Sequence, residues 1–149
     1  MDWRIFAIGK PKLAFAKFGV EEYAKRIQPF APLSTEFLKA PSSREAESTA
    51  LLKRSEGTFR IALDECGEQL TSRAFAEKIS AWEQRGSSIK TIAVLIGGAD
   101  GHSDELHRAA DWQWSLSRLT LQHELALVVL LEQIYRAYTI KIGLPYHRD

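Results

Sequence analysis

"TIAVLIGGADGHS", Thr91 to Ser103, is the stretch that decides the fold class. A short apolar run, Ile92 to Ile96, ends abruptly in glycines. Such a run fits a central parallel strand covered on both faces. Ser103 then stands before Asp104 and Glu105, a cap and acids for a short helix "SDELHRAA". A strand, a glycine loop and a helix in that order are the parts of an α/β fold with parallel strands.

The flanking segments repeat the alternation. Upstream, "TFRIALDE" (58–65) reads as a strand with Phe59, Ile61 and Leu63 on one face. Thr71 or Ser72 caps a helix whose Phe75, Ile79 and Trp82 face inward, with Arg85–Gly86 as its stop. Downstream, "DWQWSLS" sets Trp112, Trp114 and Leu116 on one side and Asp111, Gln113, Ser115 and Ser117 on the other. A long helix follows from about His123 to Ile140. Nearer the start, "WRIFAIG" (3–9) and "STEFLKA" (34–40) read as strands around a helix carrying Leu13, Ala16, Val20, Tyr23, Ala24 and Ile27, with Pro11 near its start. Ser42 and Glu45 form a capping box for a helix through about Arg54, and Gly57 ends it. The expected architecture is a single domain over 1–149: α/β, a mainly parallel sheet, helices on both faces.

Composition narrows the function classes. The chain has 149 residues, 45% apolar and 26% charged, a globular profile. Its one cysteine, Cys66, forbids an internal disulfide and points to a reducing, cytoplasmic setting. "MDWRIFAIGK" has no secretory pattern. "LALVVLL" (125–131) is the longest fully apolar stretch, far below the roughly 20 residues of a membrane helix. A net charge of +1 argues against holding nucleic acid by bulk charge alone. Residues 1–31 are locally basic, which fits either a partner patch or a solvated helix face.

Ligands of parallel sheets sit beyond the carboxyl ends of the strands. That directs attention to the loops after Leu63, Ile96 and Leu116. Gly97, Gly98 and Gly101 permit close backbone approach to a ligand, or simply make a tight turn. The loop is not a P-loop, since no Lys-Ser/Thr pair follows, and it lacks the G-x-G-x-x-G spacing. "LSRLTLQHEL" (116–125) offers leucine walls and backbone polar groups to a flat ring; taken alone, it is a surface loop pinned by leucines. The long helix is apolar all round from Leu125 to Leu131, so both sides need cover, and a second subunit is the simplest cover for one of them. Glu132 and Arg136 are spaced to pair. His102, His107, His123 and His147 have neither HExxH nor C-x-x-C spacing, so no metal is expected.

"VLIGGADGHS", "WSLSRLTLQHELALVVLLEQIYRAYTI" and the terminal "PYHR", taken together and in order, resemble the small bacterial ribosomal RNA methyltransferase H proteins. These are SPOUT-class enzymes that methylate N3 of a pseudouridine in 23S rRNA. The match is dense from Thr91 to Arg148 and collinear in "IFAIGK" and "IALDECG". The resemblance implies a C-terminal trefoil knot, a feature nearly absent from proteins in general. It also implies S-adenosylmethionine as methyl donor, a homodimer and a ribosomal substrate. Position by position, Leu63, Gly97, Leu116, Ser117, Arg118, Leu119, Thr120 and Leu121 are expected at the cofactor, and Tyr146, His147 and Arg148 in catalysis. The chain departs from the family at Gln122, often Pro, at His102, often apolar, and at Leu144, often His. A non-catalytic knotted dimer binding RNA or a nucleotide is the alternative; it has no need of the YHR tail. A nucleotide hydrolase is weaker, because Asp100 and Asp104 have no phosphate-gripping Lys beside them.

Overall fold

The computed structural model describes residues 1–39, 43–84 and 88–148. The elements are β1 (Asp2–Ile8), α1 (Ala14–Ile27), β2 (Leu33–Leu38), α2 (Arg44–Arg54) and β3 (Phe59–Gln69). Then come α3 (Ser72–Gln84), β4 (Thr91–Ile96), α4 (Asp104–Ala109), β5 (Trp112–Ser115) and α5 (His123–Ile142). The strands form one sheet in the order β2-β1-β4-β3-β5, and every pairing is parallel.

β4 takes the middle place because it has no polar face to expose; Ile92 through Ile96 are all buried. Its alternate residues feed two cores. Ile92, Val94 and Ile96 pack with Phe75, Ile79, Leu127, Leu130 and Ile134 beneath α1, α3 and α5. Ala93 and Leu95 pack with Leu51 and Leu106 beneath α2 and α4. The larger core includes a buried relay: Trp3 Nε1 donates to the Tyr138 hydroxyl at 2.9 Å, which donates to Glu83 at 3.0 Å.

Several local expectations are refined. Ser43 caps α2, accepting from the Ala46 amide at 3.1 Å, while Ser42 and Pro41 lie outside the described residues, as do Arg85 and Gly86. Thr71 is the cap of α3, accepting from Ala74 at 3.1 Å. β3 runs on to Gln69, because its pairing with β5 shifts register after Leu63 and resumes at Glu68. Ser115 is buried, against the alternation, and its hydroxyl donates to the Ser117 carbonyl at 2.8 Å. α5 extends to Ile142 and lies against both α1 and α3. Its own chain therefore buries Leu127, Leu130 and Leu131, leaving Leu125 as the exposed member of the apolar run. Among the described residues no helix is long and apolar enough to cross a membrane.

Candidate active site

Beyond the carboxyl ends of β4 and β5, beside the register shift in the middle of β3, lies a cavity of about 700 Å³. Three loops and the first turn of α5 enclose it. β3 supplies Leu63, Asp64, Glu65 and Cys66; the glycine loop supplies Gly97 to His102. Leu116, Ser117, Leu119, Thr120 and Leu121 form the third wall, with Gln122, His123 and Ala126 of α5.

Each wall is shaped by short-range hydrogen bonds. In the glycine loop, Gly101 donates its amide to the Gly98 carbonyl at 3.1 Å. A Cβ on Gly98 would stand 2.6 Å from a carboxylate oxygen of Glu47, so any larger residue there must push that side chain aside. In the leucine loop, Ser117 Oγ accepts from the Leu119 amide at 3.0 Å, and Thr120 donates to Glu65 at 2.6 Å. Gln122 starts α5 by accepting from the Glu124 and Leu125 amides at 2.9 and 3.0 Å. The departure from proline at this position thus supplies a helix cap.

Of the residues expected at a cofactor, Leu63, Gly97, Leu116, Ser117, Leu119, Thr120 and Leu121 come together around this one cavity. Arg118 does not line it; its guanidinium donates to Gln69 at 3.0 Å. The charge of the walls is one-sided. Asp64, Glu65 and Asp100 line the cavity, with no Lys or Arg among the described lining residues. Asp64 accepts from the Cys66 amide at 2.8 Å and meets His107 Nε2 at 2.8 Å. Burial raises the Asp64 carboxyl, but these two partners outweigh it and hold the group below its ordinary value. Burial drives His102 the other way for a base, toward the neutral ring, with Nε2 at 3.1 Å from the Leu95 carbonyl.

Sequence reasoning did not single out Glu47, Asp64 or the Asp64–His107 pair. Asp64 had a signal, as the first acid past the apolar part of a strand. Glu47 had none beyond a first-turn helix acid.

The tail is a separate arrangement. Gly143, at φ 75°, ends α5, and the Leu144 amide donates to the Thr139 carbonyl at 2.9 Å. The chain then turns back along α5. The Tyr146 hydroxyl donates to Glu132 at 3.0 Å, and its ring lies 4.8 Å from that of Tyr135. Arg136 bonds Glu132 at 2.5 Å, lies 4.7 Å over the Tyr146 ring, and donates to His147 Nδ1 at 3.1 Å. A guanidinium only donates, so this contact puts the imidazole proton on Nε2. Burial, with Tyr23 and Glu132 beside it, pushes the Tyr146 phenol well above its ordinary value. Arg148 is exposed. None of Tyr146, His147 and Arg148 lines the cavity of its own chain. Among the described residues no three His, Cys, Asp or Glu side chains are grouped to hold a metal.

Comparison with known proteins gives a consistent result. A family model described as "Predicted SPOUT methyltransferase" matches residues 1–147. The chain is 44% identical over 148 residues to a ribosomal RNA large subunit methyltransferase H from Thermus thermophilus, covering 99% of each. It is 41% identical to one from Anaeromyxobacter sp. strain K, covering 99% of this chain and 100% of that one. Among solved structures, a methylase family protein from Neisseria gonorrhoeae shares the fold at TM-score 0.54 and 12% identity, over 98% of this chain and 95% of that one. With its parallel sheet and strand-end cavity, the chain belongs to the SPOUT methyltransferases, in the ribosomal RNA large subunit methyltransferase H family.

Proposed function

We propose that this chain transfers a methyl group from S-adenosylmethionine to N3 of a pseudouridine in 23S rRNA. It does so as a homodimer, on assembled ribosomal particles, in the cytoplasm. The whole of 1–149 is one SPOUT domain, with the trefoil knot in its C-terminal part.

The observation that carries the reading is the cavity itself. Its leucine wall suits a flat base, and its glycine wall offers backbone to a ribose. Its carboxylates, with no Lys or Arg among the described lining residues, suit a cationic ligand and oppose a phosphate. That charge also disfavours the nucleotide-hydrolase reading. When bound, S-adenosylmethionine supplies a methyl group on a cationic sulfur. Leu116, Leu119 and Leu121 hold the adenine, and Gly97 and Leu63 admit the rest.

Ring N3 of the base carries a proton, and its lone pair becomes reactive only when that proton leaves. Arg148 is assigned to stabilise the anion spread over the flanking oxygens. His147 takes the proton, after exchanging Arg136 at Nδ1 for the substrate. Tyr146 remains a phenol, so its part is to stack on or hydrogen-bond the base.

These three residues are assigned to the pocket of the partner subunit. Their docking on the flank of α5, clear of their own cavity, supports this. Exposed Leu13, with Phe15 and Phe18 of α1, and exposed Leu119 and Leu125 are assigned to the apolar surface on which a second copy seats. The separated tail also favours the non-catalytic reading, since one protomer alone has no complete site. Radiolabelled methyl transfer to ribosomes lacking the modification, with mapping of the labelled base, separates the two. Label at N3 of a large-subunit pseudouridine is expected. No label in that RNA returns the chain to the binding-only reading.

A further inference from the structure

Two adjacent side chains of α2 reach the glycine loop from behind, and neither lines the cavity. Glu47 is 8% exposed, and its carboxylate accepts the Gly98 amide. Ser48 is 1% exposed, and its hydroxyl accepts the Ser103 amide at 2.9 Å. Ser103 in turn caps α4, accepting from the Leu106 amide at 3.2 Å. One turn of α2 therefore ties both ends of the segment that forms the glycine wall. That segment holds Gly97, Gly98 and Gly101, so its own backbone supplies little stiffness. A loop so rich in glycine loses much freedom when a ligand orders it, unless something has ordered it beforehand.

We infer that Glu47 and Ser48 are positioning residues for the cofactor: by fixing Gly98 and Ser103 they preset the backbone surface against which the nucleoside rests. This rests on the S-adenosylmethionine reading. The close fit at Gly98 belongs to the same device, since a Cβ there would stand 2.6 Å from the carboxylate and displace it. Burial and the neighbouring Asp100 raise the Glu47 carboxyl. Its hydrogen bond to Gly98 is what retains it there.

Titration calorimetry with S-adenosylhomocysteine, on the full chain, tests this. Ser48→Ala and Glu47→Ala should each weaken binding about tenfold, the effect of losing one buried hydrogen bond. Glu47→Gln keeps an acceptor for Gly98 and should stay within about threefold of wild type. Unchanged dissociation constants in both alanine variants, whatever their melting temperatures, overturn the proposal. So does a glutamine variant as weak as the alanine one. If Glu47→Ala fails to fold, Ser48→Ala, which deletes a single hydroxyl, decides alone. Wild-type protein that binds neither S-adenosylhomocysteine nor S-adenosylmethionine would instead remove the cofactor reading.

Discussion

At the amino end of α5, the cavity loops are tied to several elements at once. Glu47 and Ser48 of α2 hold the glycine loop, Thr120 bonds Glu65 of β3, and Gln122 caps the helix. At the carboxyl end, the tail rests on α5, with Tyr23 of α1 beside it, and largely on one carboxylate, Glu132, which receives both Tyr146 and Arg136. The first arrangement joins several elements, with Glu47 and Ser48 buried; the second is half-exposed and centres on one carboxylate. A site that must present a fixed surface to a small ligand gains from the first kind of construction. A segment that must meet a large substrate, or another subunit, gains from the second, because a few partners can be exchanged at low cost.

The sharpest way to break this comparison is to remove the tail's chemistry and leave the pocket intact. Arg148→Ala should lower methyl transfer by about 10²–10³-fold, the usual scale for losing a charge-stabilising donor. His147→Ala should cost on the order of 10²-fold. Cofactor affinity should be unchanged in both, since the roles assigned to them are toward the base and its proton and not toward the cofactor. Mixed dimers go further. A subunit carrying Arg148→Ala, paired with one carrying Gly98→Val, has one complete site if the tail works across the dimer and none if it works at home. Inactive mixed dimers would place the tail in its own subunit.

How far the sequence foretold this division can be argued from particular residues. β4 and its glycines were legible, because a strand buried on both faces leaves a continuous apolar run. So were the stretches after Leu63, Ile96 and Leu116 that line the cavity, which follow from the rule for strand carboxyl ends. The bulged continuation of β3 to Gln69 was not, because pairing to β5 after a register shift leaves no periodic trace. Glu47 and Ser48 were not, because a first-turn acid and a serine look the same whether they face water or a loop about 50 residues on. What α1 and α3 contribute to covering α5 was not legible for a related reason: pattern shows that a face is apolar, not which element meets it.

A middle-sized effect tests the tail's attachment. Glu132→Gln leaves Tyr146 an acceptor but removes the charge paired with Arg136, whose side chain is 23% exposed. It should cost about 1 kcal/mol in denaturant unfolding, as a partly exposed ion pair. It should also speed proteolytic removal of the last residues, while cofactor affinity holds. A pocket weakened along with the tail would mean that the two ends of α5 are coupled.

The smallest effect concerns the pocket end and is a matter of pH. Glu124, buried in the first turn of α5, accepts the Lys12 and Leu13 amides at 2.5 and 3.0 Å, tying the chain just ahead of α1 to α5. The Leu13 amide chiefly holds this carboxyl below its ordinary value; burial works against it, and the Lys12 amide and Gln122 assist. A depressed folded value means the tie is fully present above the ordinary glutamate range, near pH ~4.3, and is lost as pH falls through the folded one. Glutamine at this position keeps an acceptor but cannot titrate. Glu124→Gln should therefore melt slightly lower than wild type at neutral pH and lose less on acidification, so that the two curves of melting temperature converge below about pH 4. Parallel curves would show that the α1–α5 junction does not depend on the charge of Glu124.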